Sequence, residues 1–239
     1  KELIRALEMF APLPLQDGFD NAGVQVGLTD AEATWSLLCL DVTEAVIDEA
    51  ITKGYNLIVS HHPLIFKGYK SLTGRDYVER CIMKAIKNDI VVYSMHTNMD
   101  NAPQGVNFKI AEKLGLTNVQ FLQPLHNQEG GSGIMGSLPH PMAVPHFLQM
   151  VKDSFGIESL MHNATTQQTI QRVALCGGAG DFLLDTAISQ GADAFLTGEM
   201  SYHRYFGHED EVLIGVMGHY QSEKFTIQLL HRILHEAHP

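Results

Sequence analysis

The chain has 239 residues, of which 45% are hydrophobic and 18% are charged, a composition that predicts a globular protein with one large or two small domains. Its 16 lysines and arginines against 27 aspartates and glutamates give a net charge of −11, which argues against a nucleic-acid or anionic-membrane surface. No apolar run approaches the roughly 20 residues of a membrane span, and no signal peptide is evident. The three cysteines are widely spaced, and Cys39 and Cys176 lie in apolar strand-like runs, which predicts buried, reduced thiols in a cytoplasmic protein.

The first half of the chain alternates between strand-like and helix-like patterns. A strand over Ser36–Val42 leads into a helix that begins at Thr43, a suitable N-cap, and closes at Gly54. A second strand follows at Asn56–Ser60, so this β-α-β unit predicts parallel strands with a right-handed crossover. The remaining predicted elements are an amphipathic helix over Glu2–Phe10, a helix over Arg75–Asn88, a strand over Ile90–Met95, a helix over Val106–Leu114, a strand over Val212–Met217 and a helix over Tyr220–Leu234.

The second half of the chain repeats the pattern of the first. A shift of 137 positions takes Gly54 to Gly191 and aligns the first β-α-β unit with the second half without a gap. A further match, at a shift of 123, takes His96 to His219. The repeat predicts a duplicated α/β module, and the polar, Gly-rich stretch Gln128–Gly133 is the candidate for a domain junction or an insertion site.

Two adjacent histidines stand at the end of the second strand. His61 and His62 follow Ser60, and Pro63 blocks a helix and holds His62 extended. Sheets of α/β proteins bind their ligands at the carboxyl ends of strands. Because consecutive extended residues point to opposite sides, we expect the two imidazoles to serve two neighbouring ions, one each. The alternative is a pair of ordinary loop histidines.

Later strand ends carry further donors. A helix starting near Tyr220 would put His219 and Glu223 on one face of its first turn, where the helix dipole favours a carboxylate. Asp100 follows another strand. The candidate metal ligands are therefore His61, His62, Asp100, His219 and Glu223. Three imidazoles and two carboxylates suit Zn, Mn, Fe(II), Co or Ni and leave positions open for water. Two such ions, about 3.5–4 Å apart, could activate a shared hydroxide.

Other residues are candidates for catalysis or binding. His96 and Asn98 could orient a ligand or transfer protons, or could serve only the local turn. Glu199 and His203, at the end of the repeated strand, could face the same cleft, so the candidate catalytic residues are His96, Glu199 and His203. The Gly-rich segment 177–181 lacks the spacing of a dinucleotide motif, which favours a tight turn over a phosphate site.

Three segments together resemble a known family. SHHPLIF at 60–66, SMHTNMDNAPQGVN at 94–107 and GHYQSE at 218–223 are similar to the NGG-interacting-factor-three-like dinuclear metal-centre proteins, many of which carry the name GTP cyclohydrolase I type two homologue. The resemblance implies two intertwined, duplicated α/β domains with mixed, mostly parallel sheets. It assigns residues 1–125 with 219–239 to the first, metal-binding domain and 126–218 to the second. By motif position the family's ligands fall on the same five residues, with two divalent ions per chain in a toroidal homo-hexamer.

Two classes of function remain open. One is a metal-dependent hydrolase that directs hydroxide at a phosphoryl, acyl or purine carbon centre, with a small-molecule substrate such as a nucleotide. The other is a non-catalytic metal-binding or regulatory scaffold. The open coordination favours the hydrolase, because structural metal sites are closed and usually richer in cysteine.

Overall fold

The computed structural model describes residues 1–28, 30, 32–126 and 128–238. The chain divides into two compact units, Lys1–Met99 with Thr226–Pro239, and Asp100–Phe225. The α-helices are α1 (Glu2–Phe10), α2 (Glu44–Lys53), α3 (Tyr77–Lys87), α4 (Thr97–Asp100), α5 (Val106–Lys113), α6 (Val144–Phe155), α7 (Leu184–Ser189), α8 (His219–Glu223) and α9 (Thr226–Ala237). The strands are β1 (Gly23–Val26), β2 (Ser36–Cys39), β3 (Leu57–Ser60), β4 (Val91–Ser94), β5 (Thr117–Pro124), β6 (Gly131–Ala143), β7 (Met161–His162), β8 (Thr169–Cys176), β9 (Ala194–Thr197) and β10 (Leu213–Val216).

The first unit is built on a four-stranded sheet in the order β1-β4-β3-β2. Strands β2, β3 and β4 are parallel, and β1 lies antiparallel to β4 at one edge. The predicted β-α-β unit is confirmed: the Thr43 hydroxyl accepts a hydrogen bond from the Val46 amide, and Gly54 closes α2 with a φ of 71°. β3 is buried along its whole length, so its carboxyl end is held firmly between two neighbours.

The second unit contains a six-stranded sheet in the order β5-β6-β8-β9-β10-β7. Strands β8, β9 and β10 are parallel. β7 lies antiparallel to β10 at one edge, and the β5–β6 hairpin lies antiparallel to β8 at the other. The apolar core of this sheet includes Phe195, Leu183 and Ile214.

The two sheets share one topology over four strands. The order β2-β3-β4-β1 in the first matches β8-β9-β10-β7 in the second, with the same strand directions, as the predicted duplication requires. The 137-residue shift is confirmed by register, because Ser36 lies opposite Leu57 as Val173 lies opposite Ala194. The 123-residue shift is one residue too long for the last strand: by register Ser94 corresponds to Val216, a shift of 122.

The two compact units do not share the limits of the predicted domains, and the domain assignment stays a prediction. The prediction placed residues 100–125 and 219–225 in the first domain, whereas both segments group with the second unit. The reason for the first segment is that β5 pairs with β6, while α5 packs on β6 and β8. Gln128–Gly133 lies at the turn and start of this hairpin, so it joins two strands of one sheet rather than two domains.

Cys39 and Cys176 are buried, as predicted, and Cys81 is buried as well. Burial raises the pKa of Cys39 to about 12 and that of Cys81 to about 11, so both thiols are protonated and inert at neutral pH. Across the described ranges, the helices are too short or too polar to traverse a lipid bilayer.

Candidate metal centre

The end of β3 directs its two histidines toward different neighbouring strands. His61 Nδ1 lies 2.7 Å from the carbonyl oxygen of Met95, which follows β4. His62 Nδ1 lies 2.9 Å from Oδ1 of Asp41, which follows β2. The backbone N–H groups of both histidines continue the ladder with the β2 side. The parallel strands therefore hold two consecutive imidazoles in defined orientations.

These contacts determine where each ring carries its proton. A carbonyl or carboxylate oxygen accepts a hydrogen bond, so Nδ1 must be the protonated nitrogen in a neutral ring, and Nε2 takes the deprotonated form that binds a metal. His61 is fully buried and His62 is partly exposed. Their ring centroids are 4.8 Å apart, so the two imidazoles stay close although they turn toward different strands.

A third imidazole, that of His96, joins this cluster. Its ring centroid lies 5.4 Å from that of His61 and 5.5 Å from that of His62, with T-shaped geometry in both cases. His96 Nδ1 donates to Oδ1 of Asp20 at 2.7 Å. The side chain of Asn98 binds backbone groups: its Oδ1 accepts a hydrogen bond from the His96 amide, and its Nδ2 donates one to the carbonyl oxygen of Ala11.

The second unit brings together His219, Glu223 and Glu199. His219 Nδ1 lies 2.7 Å from Oε1 of Glu199, and His219 Nε2 lies 3.1 Å from Oε2 of Glu223. Glu223 is buried, with 3% of its surface exposed. Two ligand atoms each ~2.1 Å from one ion and at right angles would be about 3 Å apart, so the His219–Glu223 separation fits shared coordination.

The Gly-rich turn after β8 makes room for this carboxylate. Gly178 has a φ of 60°, and a Cβ at that position would overlap the Glu223 carboxylate and lie 3.4 Å from His219 Nε2. The turn's amides are engaged by side chains, because Gly177 donates to Asn107 and Gly178 donates to Ser222. These contacts support the tight-turn prediction over a phosphate site.

The predicted single helix over this region is in fact two. α8 starts at His219, directly after Gly218, and ends at Glu223, before α9. His219 and Glu223 do lie one turn apart, as predicted. However, Glu223 is the last residue of α8, so the expectation that the helix dipole favours its charge is wrong.

The two remaining candidates, Asp100 and His203, have observed contacts that do not by themselves indicate a role in metal binding or catalysis. Asp100 is half-buried at the end of α4, and its carbonyl oxygen accepts a hydrogen bond from Asn107 at 3.1 Å. His203 lies exposed in the short 3-10 turn Tyr202–Tyr205, and the contact we observe for its ring is with Tyr202, at 5.1 Å between centroids. A catalytic role for His203 stays a prediction.

Sequence reasoning missed two carboxylates that orient the imidazoles. Asp41 could have been found, because it follows a strand that the pattern predicted to lie beside β3. Asp20 carries no such signal: it lies in an irregular loop, 76 residues from its partner His96.

Nitrogen and oxygen donors thus gather at the ends of parallel strands in a duplicated α/β protein. Among the described residues, His61 and His62 of the first unit and Glu223 of the second are candidate metal ligands. The donor set has imidazole and carboxylate without thiolate, which fits a divalent transition metal. The class is therefore that of two-sheet α/β proteins with imidazole and carboxylate donors at the carboxyl ends of parallel strands.

Comparison with known proteins identifies the family. The chain matches Duf34/NIF3 (NGG1p interacting factor 3) over residues 1–239, and it belongs to this family. It is 34% identical over 241 residues to a GTP cyclohydrolase 1 type 2 homolog of Clostridium acetobutylicum, covering 99% of this chain and 90% of that protein.

Solved structures show the same fold. A hypothetical protein of Staphylococcus aureus superposes with a TM-score of 0.88 at 30% identity, over 98% of this chain and 89% of that one. A Bacillus cereus protein related to NIF3 also gives a TM-score of 0.88, at 25% identity, over 98% of this chain and 93% of that one. The resemblance inferred from the sequence motifs is confirmed.

Proposed function

We propose that this protein binds two divalent metal ions per chain and acts as a metal-dependent hydrolase on a small molecule. The proposed ligands are His61, His62, Asp100, His219 and Glu223. One observation carries the proposal: His61, His62 and His219 each turn Nδ1 toward an oxygen at 2.7–2.9 Å. Metal-binding histidines are held in this way, since the contact fixes the tautomer and raises the basicity of Nε2.

The side chains around the donors have separate tasks in this proposal. Bound divalent ions would polarise a substrate oxygen and lower the pKa of water. Asp41 and Glu199 hold the Nδ1 protons of His62 and His219, and the Met95 carbonyl holds that of His61. His96, with its proton on Nδ1, offers Nε2 as a proton acceptor beside the two β3 imidazoles.

We assign the bridging position to Glu223. Three histidines and Asp100 supply two ligands for each of two ions, which is few for a retained metal, and a bridging carboxylate raises each to three. Glu223 is buried and lies 3.1 Å from His219 Nε2, so it is held beside another proposed ligand. An anion between two cations also lowers their mutual repulsion.

Metal analysis and an activity screen test the proposal. The fully loaded protein should carry close to two ions per chain and should hydrolyse a compound among nucleotides, phosphoesters and amides. GTP belongs in the screen because curated relatives are named GTP cyclohydrolase 1 type 2 homologs. Saturation at one ion per chain would refute the dinuclear assignment, and turnover that survives Glu223→Ala would belong to a contaminant.

A metal-binding scaffold is the second candidate function. It is supported by the name of the family, NGG1p interacting factor 3. A protein that holds its metal fully and turns over no compound in the screen would favour the scaffold. For both candidate functions we propose that the protein is cytoplasmic and forms a homo-hexamer. The hexamer is proposed because the sequence motifs resemble those of the family.

A further inference from the structure

Asp20 is a buried carboxylate with an unusual set of partners. The exposed fraction of its side chain is 0%. Oδ1 accepts from His96 Nδ1 and from the Asn21 amide, both at 2.7 Å. Oδ2 accepts from the Thr97 amide at 3.0 Å and from the Thr97 hydroxyl at 2.5 Å. All four partners donate, so the site requires a group that only accepts.

An ionised carboxylate meets that requirement at neutral pH. Burial by itself raises the pKa of Asp20, but hydrogen bonds from His96 and Thr97 outweigh it and lower the pKa to about 2. A carboxyl group protonated at either oxygen would present a hydrogen to a donor. The four hydrogen bonds therefore require the negatively charged form of Asp20.

We propose that Asp20 is a positioning residue that holds His96 as the Nδ1–H tautomer, with Nε2 as a hydrogen-bond acceptor at the imidazole cluster. Which nitrogen of a neutral imidazole carries the proton is set by the hydrogen bond that the other nitrogen makes. The carboxylate at 2.7 Å dictates Nδ1–H. Nε2, on the far side of the ring from Asp20, can then accept from water or from an O–H or N–H group of a substrate.

This inference deepens the proposed function and rests on it for its catalytic meaning, but not for its test. It differs from a purely structural role, in which Asp20 only ties down the turn through Thr97. In that role the two Thr97 bonds would matter and the His96 bond would be incidental. The two roles predict different effects on the tautomer.

Long-range ¹H–¹⁵N NMR of the imidazoles distinguishes the two roles. The full chain is stripped of metal with a chelator and measured near pH ~8.5, about two units above the ordinary imidazole pKa of ~6.5. His96→Asn assigns the His96 signals by their loss. Because neither metal nor substrate is present, failure here is separate from failure of the hydrolase proposal.

We expect wild-type His96 to be a single Nδ1–H tautomer. Asp20→Ala removes the acceptor of the His96 Nδ1 proton, so His96 should no longer be a single Nδ1–H tautomer and should shift substantially to Nε2–H. Thr97→Val is the matched control: it removes one donor to Asp20 and should lower stability while leaving the His96 tautomer unchanged.

Several outcomes would overturn the proposal. Wild-type His96 found as Nε2–H or as an imidazolium would contradict it without any variant, so it stays testable even if Asp20→Ala fails to fold. A folded Asp20→Ala protein that keeps the single Nδ1–H tautomer would reduce Asp20 to a structural anchor. Loss of the tautomer in Thr97→Val would assign control to the turn instead of the carboxylate.

Discussion

Four histidines near the proposed centre share one arrangement, in which Nδ1 lies within hydrogen-bond distance of an oxygen. The oxygen belongs to a carboxylate for His62, His96 and His219, and to a backbone carbonyl for His61. A carboxylate partner makes the imidazole a stronger ligand, because it stabilises positive charge that moves onto the ring. Substitution of these partners therefore separates orientation from direct ligation.

Glu199→Gln should weaken metal binding without removing a proposed ligand. The amide keeps the size of the side chain but loses the charge that holds the His219 Nδ1 proton at 2.7 Å. We expect metal affinity to fall about 10–100-fold, measured by competition with a chelator. Glu211→Gln is the control, since Glu211 makes the same contact with His208 at 2.8 Å, before β10 rather than after it. Equal losses in the two variants would contradict a specific role for Glu199.

Loss of the Glu223 charge should empty more of the centre than loss of one imidazole. Glu223→Gln is expected to weaken the binding of both ions. His61→Ala and His62→Ala should each empty mainly one of the two ion sites. Metal occupancy of the three variants is compared after identical loading. If Glu223→Gln retains two ions while either histidine variant loses both, the bridging role belongs to another residue.

Gly178→Ala tests whether the space beside Glu223 matters. Alanine at a φ of 60° should cost about 1–2 kcal/mol of folding free energy, and its Cβ would also overlap the Glu223 carboxylate. Gly207→Ala is the control, because its φ is 84° and a Cβ there meets nothing within 4 Å. Chemical denaturation should show a loss in both variants, and metal titration should show reduced affinity in Gly178→Ala alone. Unchanged metal affinity in Gly178→Ala would mean that the Glu223 side chain can move away from the added Cβ and still bind metal.

At the scale of elements, local signals predicted the first β-α-β unit well. Thr43 and Gly54 are recognisable end signals, and the buried strands contain almost only apolar residues. β6 was missed because its 13 residues include Pro139 and Pro141, which cannot complete a ladder. The register with β8 shifts between Ser137 and Met142, where these prolines lie. That accommodation depends on pairing with distant strands, which local pattern does not show.

The same limit applied to the candidate site. Its adjacent histidines, and the His219–Glu223 pair one turn apart, are visible as spacings in the chain. The break between α8 and α9 is not, because the apolar pattern runs on past Glu223 without an obvious stop signal. The Asp20–His96 contact depends on how a loop folds back onto a strand end, so it too required the structure.

The start of α3 gives a prediction for acid stability. Asp76 caps the Glu79 amide, while the buried Glu79 carboxylate accepts from the amides of Arg75 and Thr73. These backbone bonds lower the pKa of Glu79 from 4.5 to about 2. Because the folded pKa lies below the ordinary value, the carboxylate stabilises the fold above pH 4.5, and this contribution is lost as the pH falls toward 2.

Glu79→Gln should therefore lower the Tm at pH 7, with the difference from wild type shrinking as the pH falls below 4.5 toward 2. Thermal unfolding followed by circular dichroism across that range measures it. Glu49→Gln serves as the control, because Glu49 pairs with Lys53 at the surface of α2 and the pair should contribute little. A Tm difference for Glu79→Gln that stays constant with pH would contradict the charge-based explanation.

At the scale of the whole molecule, the family assignment supports a prediction about assembly. We expect sedimentation equilibrium at micromolar concentration to give the mass of six chains, each of 26.4 kDa. The reason is the motif resemblance, which implies a toroidal hexamer. A mass of one chain under these conditions would count against it, and loaded and metal-free samples should be compared to see whether metal is needed.

The path of the chain through its two units has a consequence for biosynthesis. Residues 100–225 form one continuous unit, whereas the other unit takes α9 from beyond them, packed against α1 and β2. Because α9 is synthesised after the rest of its unit and after residues 100–225, the unit that is translated first cannot complete its core until α9 has left the ribosome. Until then the apolar face that α9 covers is exposed, and the nascent chain would be a client for chaperones.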